Sequence, residues 1–154
     1  MFAVDLHGDR KPRTVLGSKF VEGRAQLSPD GHWLAYQSDE SGRPEVYVIS
    51  YPNGSGKWQI STSSGIEPCW SHDGSELFYL SGDGRLMTVP TPVGASFNPG
   101  TPRPLFRVQT EQSPRRNVYC PSPDGKKFLF LVSAGQNETP MTALVNWRGN
   151  TGRK

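Results

Sequence analysis

The chain has 154 residues, a length that suits a single domain. Its net charge of +3, from 17 Lys and Arg against 14 Asp and Glu, is too small to indicate a nucleic-acid partner. No apolar run approaches the roughly 20 residues that a membrane helix needs, and the opening MFAVDL lacks the basic and long apolar parts of a signal peptide. We therefore predict no insertion into a membrane by this segment.

The sequence reads as short strands separated by turns. Runs of Val, Ile, Tyr, Phe, Leu and Trp are bounded by Gly, Asn, Asp and Pro, and helical spacing of apolar residues is not sustained anywhere. Two strands are predicted near the start, at 2–6 and 12–16. Four strands follow, at 24–28, 33–38, 44–50 and 57–61.

Two further groups of strands complete the prediction. The next group has four strands, at 67–71, 76–81, 85–90 and 103–108, with a long connection before the last of them. The final group has three strands, at 118–122, 127–132 and 141–147.

One turn motif occurs three times, as SPDGHWLAY (28–36), SHDGSELFY (71–79) and SPDGKKFLF (122–130). The first serines of the three copies lie 43 and 51 residues apart, a period typical of propellers. In such a turn Pro sets the backbone angle, Asp can bond to nearby amides, and Gly supplies the left-handed conformation. Each copy is therefore predicted to be a hairpin, with Leu34, Leu77 and Phe128 at equivalent buried positions.

These observations predict an all-β fold, a partial β-propeller of about three four-stranded antiparallel blades. Residues 1–154 are expected to form a single propeller segment. Its parts are the last two strands of a blade (1–20), two complete blades (21–62 and 63–110) and an incomplete blade (111–150).

The stretch LSPDGHWLAYQSDESGRPEVYVISYP resembles the TolB-type propeller repeat, a WD-like family marked by its Ser-Pro-Asp-Gly turn. The resemblance covers roughly residues 2–147, and the ending TALVNWRG is similar to the closing strand of many bacterial proteins of this group. It implies a non-catalytic module that binds a protein, a peptide or a small ligand, as the C-terminal part of a larger bacterial sensor or TolB-like protein. It also implies a periplasmic or other extracytoplasmic location. The alternative is the propeller part of a hydrolase, oligopeptidase-like or glycosidase-like, whose catalytic domain is absent.

About three blades cannot close into a ring, because complete propellers have about four to eight. An open arc would leave sheet faces and edges exposed, which favours association. The segment is therefore expected either to belong to a longer propeller or to form a homodimer that completes a six-bladed ring.

Few side chains have the pattern of a reactive site. Asp30, Asp73 and Asp124 recur once in every turn, which indicates a structural role, whereas Glu67 is the best acid that does not recur. If a ligand binds in the central channel, polar groups on the innermost strands would line it. The candidate ligand-binding residues are Arg24, Gln26, Glu67 and Asn117. No catalytic residue, metal or cofactor is predicted.

The remaining chemistry-bearing residues are given structural interpretations. Cys69 and Cys120 each lie two residues before a repeat serine, at equivalent places on adjacent blades, and are expected to be free, mostly buried thiols. The histidines, His7, His32 and His72, lie in or beside turns and are expected to be exposed. The tryptophans, Trp33, Trp58, Trp70 and Trp147, are expected to pack between blades.

Overall fold

Short antiparallel strands make up the regular structure of the chain. The computed structural model describes residues 1–91, 94, 96–109 and 118–132. The strands within these ranges are β1 (Phe2–Ala3), β2 (Arg13–Thr14), β3 (Glu22–Leu27), β4 (Trp33–Ser38), β5 (Glu45–Ser50), β6 (Lys57–Gln59), β7 (Gly65–Trp70), β8 (Glu76–Ser81), β9 (Arg85–Pro90), β10 (Arg103–Arg107), β11 (Tyr119–Pro121) and β12 (Phe128–Phe130). The predicted strand at 141–147, with Trp147, lies outside the described residues. Within those residues no helix has the length and apolarity needed to cross a membrane.

The strands form four sheets in chain order. Two of the sheets are four-stranded antiparallel meanders, β3-β4-β5-β6 and β7-β8-β9-β10, which we call blade 1 and blade 2. The other two are two-stranded: β1 pairs with β2 to form the N-terminal sheet, and β11 pairs with β12 to form the C-terminal sheet. The predicted all-β fold with partial propeller blades is confirmed.

The three copies of the repeated turn are closed by the same hydrogen bonds. In the first copy the Trp33 N–H donates to Ser28 Oγ at 2.9 Å, and Ser28 Oγ donates to Asp30 Oδ1 at 2.5 Å. Equivalent bonds join Ser71, Asp73 and Glu76 in the second copy and Ser122, Asp124 and Lys127 in the third. The glycines adopt left-handed φ angles of 74°, 72° and 65° at Gly31, Gly74 and Gly125. Ser, Asp and Gly therefore recur because each one closes the turn.

The hairpins align equivalent residues, as the sequence predicts. In the strand pairings Leu34 lies opposite Leu27, Leu77 opposite Trp70, and Phe128 opposite Pro121. The side chains of Leu34, Leu77 and Phe128 are all buried.

Among the described residues, the core consists of three layers between successive sheets. Leu34 and Tyr36 of blade 1 face the N-terminal sheet, where Val15 and Leu16 pack against them. On the other side of the same strand, Ala35 packs toward blade 2. Because both faces of the two inner sheets are covered, β4 and β8 are nearly continuous apolar runs and do not alternate between apolar and polar residues.

The same layering explains where the cysteines lie. Both thiols are free. Cys69 pairs with Phe78 on the face of blade 2 that the C-terminal sheet covers, so it is buried, and burial raises the pKa of its thiol to about 11. Cys120 pairs with Leu129 on the outer face of the C-terminal sheet. Leu129 is 72% exposed there, and the expectation that Cys120 is buried is therefore wrong.

The histidines are exposed, as predicted.

Trp33 and Trp70 are buried between the two blades, and Trp58 is packed against them and partly buried. Phe97, from the connection between β9 and β10, completes this cluster, with its ring centroid 5.0 Å from that of Trp33 and 5.1 Å from that of Trp58.

We predict that His72→Pro stabilises the protein. His72 is an exposed residue at the turn position that Pro29 and Pro123 occupy in the other copies, so the backbone there should accept proline. Fixing its φ angle reduces the freedom of the unfolded chain and should raise the free energy of unfolding by about 0.4–1 kcal/mol. The measurement is urea unfolding of the two proteins. The reverse change, Pro29→His, is the matched control and should lower the free energy by a similar amount; a destabilising His72→Pro would contradict the equivalence of the turns.

Candidate functional site

The innermost strands of blades 1 and 2 each contain a β-bulge at the same place in the repeat. The pairing register shifts between Gly23 and Gln26 in β3 and between Ile66 and Cys69 in β7. Within the bulges, Arg24 has a φ angle of 54° and Glu67 one of 55°. Left-handed backbone is costly for residues other than glycine, and it occurs mainly where surrounding contacts enforce it.

The two bulges bring together Arg24 and Glu67, which were predicted from the sequence as channel residues. Arg24 Nη2 lies 3.6 Å from Glu67 Oε1, and only 18% and 4% of the two side chains are exposed. The side chain of Glu67 continues to the next unit, where its Oε2 accepts a hydrogen bond of 2.7 Å from the Val118 N–H. The bulge residues therefore connect blade 1, blade 2 and the residue that leads into the C-terminal sheet.

The backbone of Glu67 is held as well. Its carbonyl oxygen accepts a hydrogen bond of 2.8 Å from the Tyr119 hydroxyl, and its N–H donates to Gln37 Oε1 at 3.4 Å. Burial raises the pKa of Tyr119 well above its usual value, so this hydroxyl remains a donor. We call Arg24, Gln37, Glu67, Val118 and Tyr119 the inter-blade latch. Gln37, Val118 and Tyr119 are the members that sequence reasoning missed, because their positions in the repeat carry no unusual residue pattern.

The other two candidate channel residues stand apart from the latch. Gln26 is half-buried, and its carbonyl oxygen accepts a hydrogen bond of 3.1 Å from Trp70 Nε1, which is a further contact between blades 1 and 2. Asn117 lies outside the described residues.

The geometry of the latch is suited to holding neighbouring sheets together and less suited to acid–base catalysis. A general acid or base must reach a substrate proton, whereas both oxygens of Glu67 face protein groups and the residue is buried. Among the described residues, no group of three or more His, Cys, Asp and Glu side chains has the arrangement of a metal site.

No protein-family model and no curated protein matches the chain. Similar solved structures exist. One is an oligogalacturonate lyase from Vibrio parahaemolyticus, a β-propeller protein, with a TM-score of 0.58 and 16% identity over 83% of this chain and 34% of the lyase. Another is TolB from Acinetobacter baumannii, with a TM-score of 0.45 and 19% identity over 87% of this chain and 43% of that one. The chain spans about a third of the lyase, and the likeness at this identity concerns the fold alone.

We predict that Arg24 and Glu67 are energetically coupled. Glu67→Gln should lower the free energy of unfolding by about 1–3 kcal/mol, because it weakens hydrogen bonds to a buried charged group. In a double-mutant cycle with Arg24→Met, the coupling energy should exceed about 1 kcal/mol. Denaturant unfolding of the four proteins gives this value.

The control for this cycle is an exposed ion pair of the same chain. Arg13 and Asp9 lie 3.8 Å apart with side chains 75% and 46% exposed, so their cycle should give about 0.5 kcal/mol or less. Equal coupling energies in the two cycles would show that the latch is no more than a surface contact.

Proposed function

We propose that this chain is a non-catalytic β-propeller module whose function is protein binding, and that its first partner is a second copy of itself. One observation carries the proposal: apolar side chains are exposed on the outer faces of both two-stranded sheets. Phe2 is 69% exposed on the N-terminal sheet, and Leu129 is 72% exposed on the C-terminal sheet. Exposed apolar groups of this kind are typical of protein–protein contacts.

The position of Leu129 in the repeat indicates what would cover it. Its equivalents are Ala35 in blade 1 and Phe78 in blade 2, and both of these are buried against the sheet that follows. Leu129 therefore lies on the face where the next blade of a propeller would pack. Phe2 lies on the opposite end of the stack, on the face where a preceding blade would pack.

In a dimer, each chain would cover the exposed face of the N-terminal sheet and that of the C-terminal sheet of its partner. The C-terminal sheet corresponds to the two inner strands of a complete blade, β3–β4 or β7–β8. From the sequence, the N-terminal sheet is interpreted as the two outer strands of a blade. In the proposed dimer, the N-terminal strands of one chain complete the C-terminal unit of the other, for which the sequence predicts a third strand at 141–147. One such composite blade at each junction, added to two complete blades from each chain, gives a ring of six. Two junctions would bury on the order of 1,000 Å² or more, which is enough for a stable dimer.

The sequence resemblance adds the finer parts of this proposal. It supports a module that belongs to a larger bacterial sensor or TolB-like protein and that functions outside the cytoplasm. A protein or peptide could then bind to the completed ring. The lyase activity of the structural neighbour is not carried over to this chain, because the two proteins share only their fold.

Light scattering with size-exclusion chromatography tests the dimer. We expect twice the mass of one 17.0 kDa chain, and we expect Leu129→Ser and Phe2→Ser each to weaken the association at least tenfold. Since both side chains are largely exposed in a single chain, these substitutions should leave its folding intact. Val21→Ser is the matched control, because Val21 is 72% exposed but lies outside the two end sheets. A stable monomer, or a dimer that neither substitution weakens, would contradict the proposal.

The non-catalytic part of the proposal has a separate test. We expect the isolated chain to show no turnover of generic ester, peptide or glycoside substrates above the buffer rate. Glu67→Gln should make no difference, since Glu67 belongs to the latch. Turnover that Glu67→Gln abolishes would favour the alternative function, the propeller part of a hydrolase.

A further inference from the structure

A cleft lies beside blade 2, where the connection from blade 1 arrives. Its volume is about 590 Å³, and it is open to solvent. One wall is formed by residues 62–64, between β6 and β7. The other wall is formed by the face of β8 and β9 that is turned toward blade 1, together with Thr101, Pro102 and Pro104. Most side chains around the cleft are hydroxyls, from Thr62, Ser63, Ser64, Tyr79, Ser81 and Thr101.

The wall at 62–64 is held in place by a buried carboxylate. Glu45 is fully buried, and it accepts hydrogen bonds from Ser61 Oγ, from the Ser64 N–H at 2.9 Å and from Arg43 Nε at 2.8 Å. Burial alone would raise the pKa of Glu45, but these hydrogen bonds lower it below its usual value. Arg43 also donates to the Thr62 carbonyl oxygen. The wall is therefore fixed before any ligand arrives.

Tyr79 contributes its hydroxyl group to the lining of the cleft. Its side chain lines the cleft and only 4% of the residue is exposed. Within the described part of the chain the Tyr79 hydroxyl makes no hydrogen bond. Burial raises the pKa of this phenol to about 12, so it keeps its proton and can donate. The hydroxyl is not one of the fully buried unpaired polar atoms of the described residues, and since it lines the cleft it can donate to a ligand atom there.

The second donor is Arg85, and a carboxylate orients it. Asp83 Oδ2 lies 2.9 Å from Arg85 Nε, and Asp83 Oδ1 accepts a hydrogen bond from Ser81 Oγ. Both oxygens of Asp83 are thus engaged, while the terminal nitrogens of Arg85 retain donors. Arg107 lies directly opposite Arg85 in the pairing of β9 with β10. The hydrogen bond from Ser81 and the charges of Arg85 and Arg107 lower the pKa of Asp83, so this carboxylate already offsets part of the repulsion between the two arginines.

We propose that this cleft binds the carboxylate group of a small organic acid. The groups that remain available are donors: the Tyr79 hydroxyl and the terminal N–H groups of Arg85. Guanidinium groups bind carboxylates through two parallel hydrogen bonds, which fix the orientation of the acid. The rest of the ligand lies against the apolar surface of Met87, Pro102 and Pro104, which also line the cleft.

Calorimetric titration of the full chain with two matched pairs of probes tests the proposal. Benzoate is compared with benzamide, and glucuronate with glucose, so that each pair differs in the carboxylate. We expect an acid to bind with a dissociation constant of about 1 mM or lower and its neutral partner to bind at least tenfold more weakly. Binding of benzoate alone indicates an apolar acid, and binding of glucuronate alone indicates a hydroxylated one.

Three variants assign the binding to the cleft. Tyr79→Phe removes only the hydroxyl that lines the cleft, so it should leave the fold stable. The acid should then bind about tenfold more weakly. Arg85→Gln should weaken the binding of the acid tenfold or more. Arg103→Gln is the control, because Arg103 pairs with Thr88 on the other face of the sheet, and it should bind as the wild type does. If neither acid binds at 20 mM, or if both Tyr79→Phe and Arg85→Gln bind as tightly as the control, the proposal is wrong.

Discussion

The structure depends on burying both faces of each sheet. Blade 1 has Leu34 and Tyr36 on one side and Ala35 on the other, and each side is apolar because a neighbouring sheet covers it. A sheet of this composition is not stable by itself, since one of its faces would expose a layer of large apolar groups. Stability therefore accumulates from sheet to sheet along the stack, as it does in repeat proteins. The same requirement bears on Phe2 and Leu129, which are largely exposed on the outer faces of the two two-stranded sheets.

Burial alone does not determine how neighbouring sheets are aligned, and the polar groups of the innermost strands supply that alignment. Apolar contacts are not directional, whereas the contacts of Glu67 to Arg24 and to the Val118 N–H require defined positions of three successive units. The left-handed bulge residues have a strained backbone, and the contacts of the latch offset that strain.

The sequence predicted the fold well, because the turn chemistry is local. Ser28, Asp30 and Gly31 specify a hairpin through contacts among themselves and the next few residues, so the pattern can be read without knowing what packs nearby. The channel residues were predicted less completely. Arg24 and Glu67 were identified by their position in the repeat, but their pairing depends on β-bulges, which shift the register and have no clear sequence signature.

The cleft could not have been predicted, because its parts come from separate segments. Asp83 and Arg85 belong to the stretch SGDGR, which resembles an ordinary hairpin turn, and Tyr79 belongs to an apolar run that predicts a core position. Only the fold shows that Tyr79 and Arg85 line the same cleft and that Arg107 lies opposite Arg85. The exposed Cys120 has the same explanation, since its burial depends on a neighbouring sheet and not on its own strand.

The cleft and the latch are close enough in the chain to affect each other. The cleft wall at 62–64 continues directly into β7, which carries Glu67. A ligand that binds only when this wall and blade 2 are correctly placed also stabilises that placement, by an amount that grows with ligand concentration relative to its dissociation constant. By linkage, whatever holds the two blades in register also strengthens the binding of the ligand. Arg24→Met weakens the latch at a residue outside the cleft, so it should lower the affinity for the ligand. An unchanged affinity would contradict the coupling and would show that Glu45 holds the wall independently of the latch.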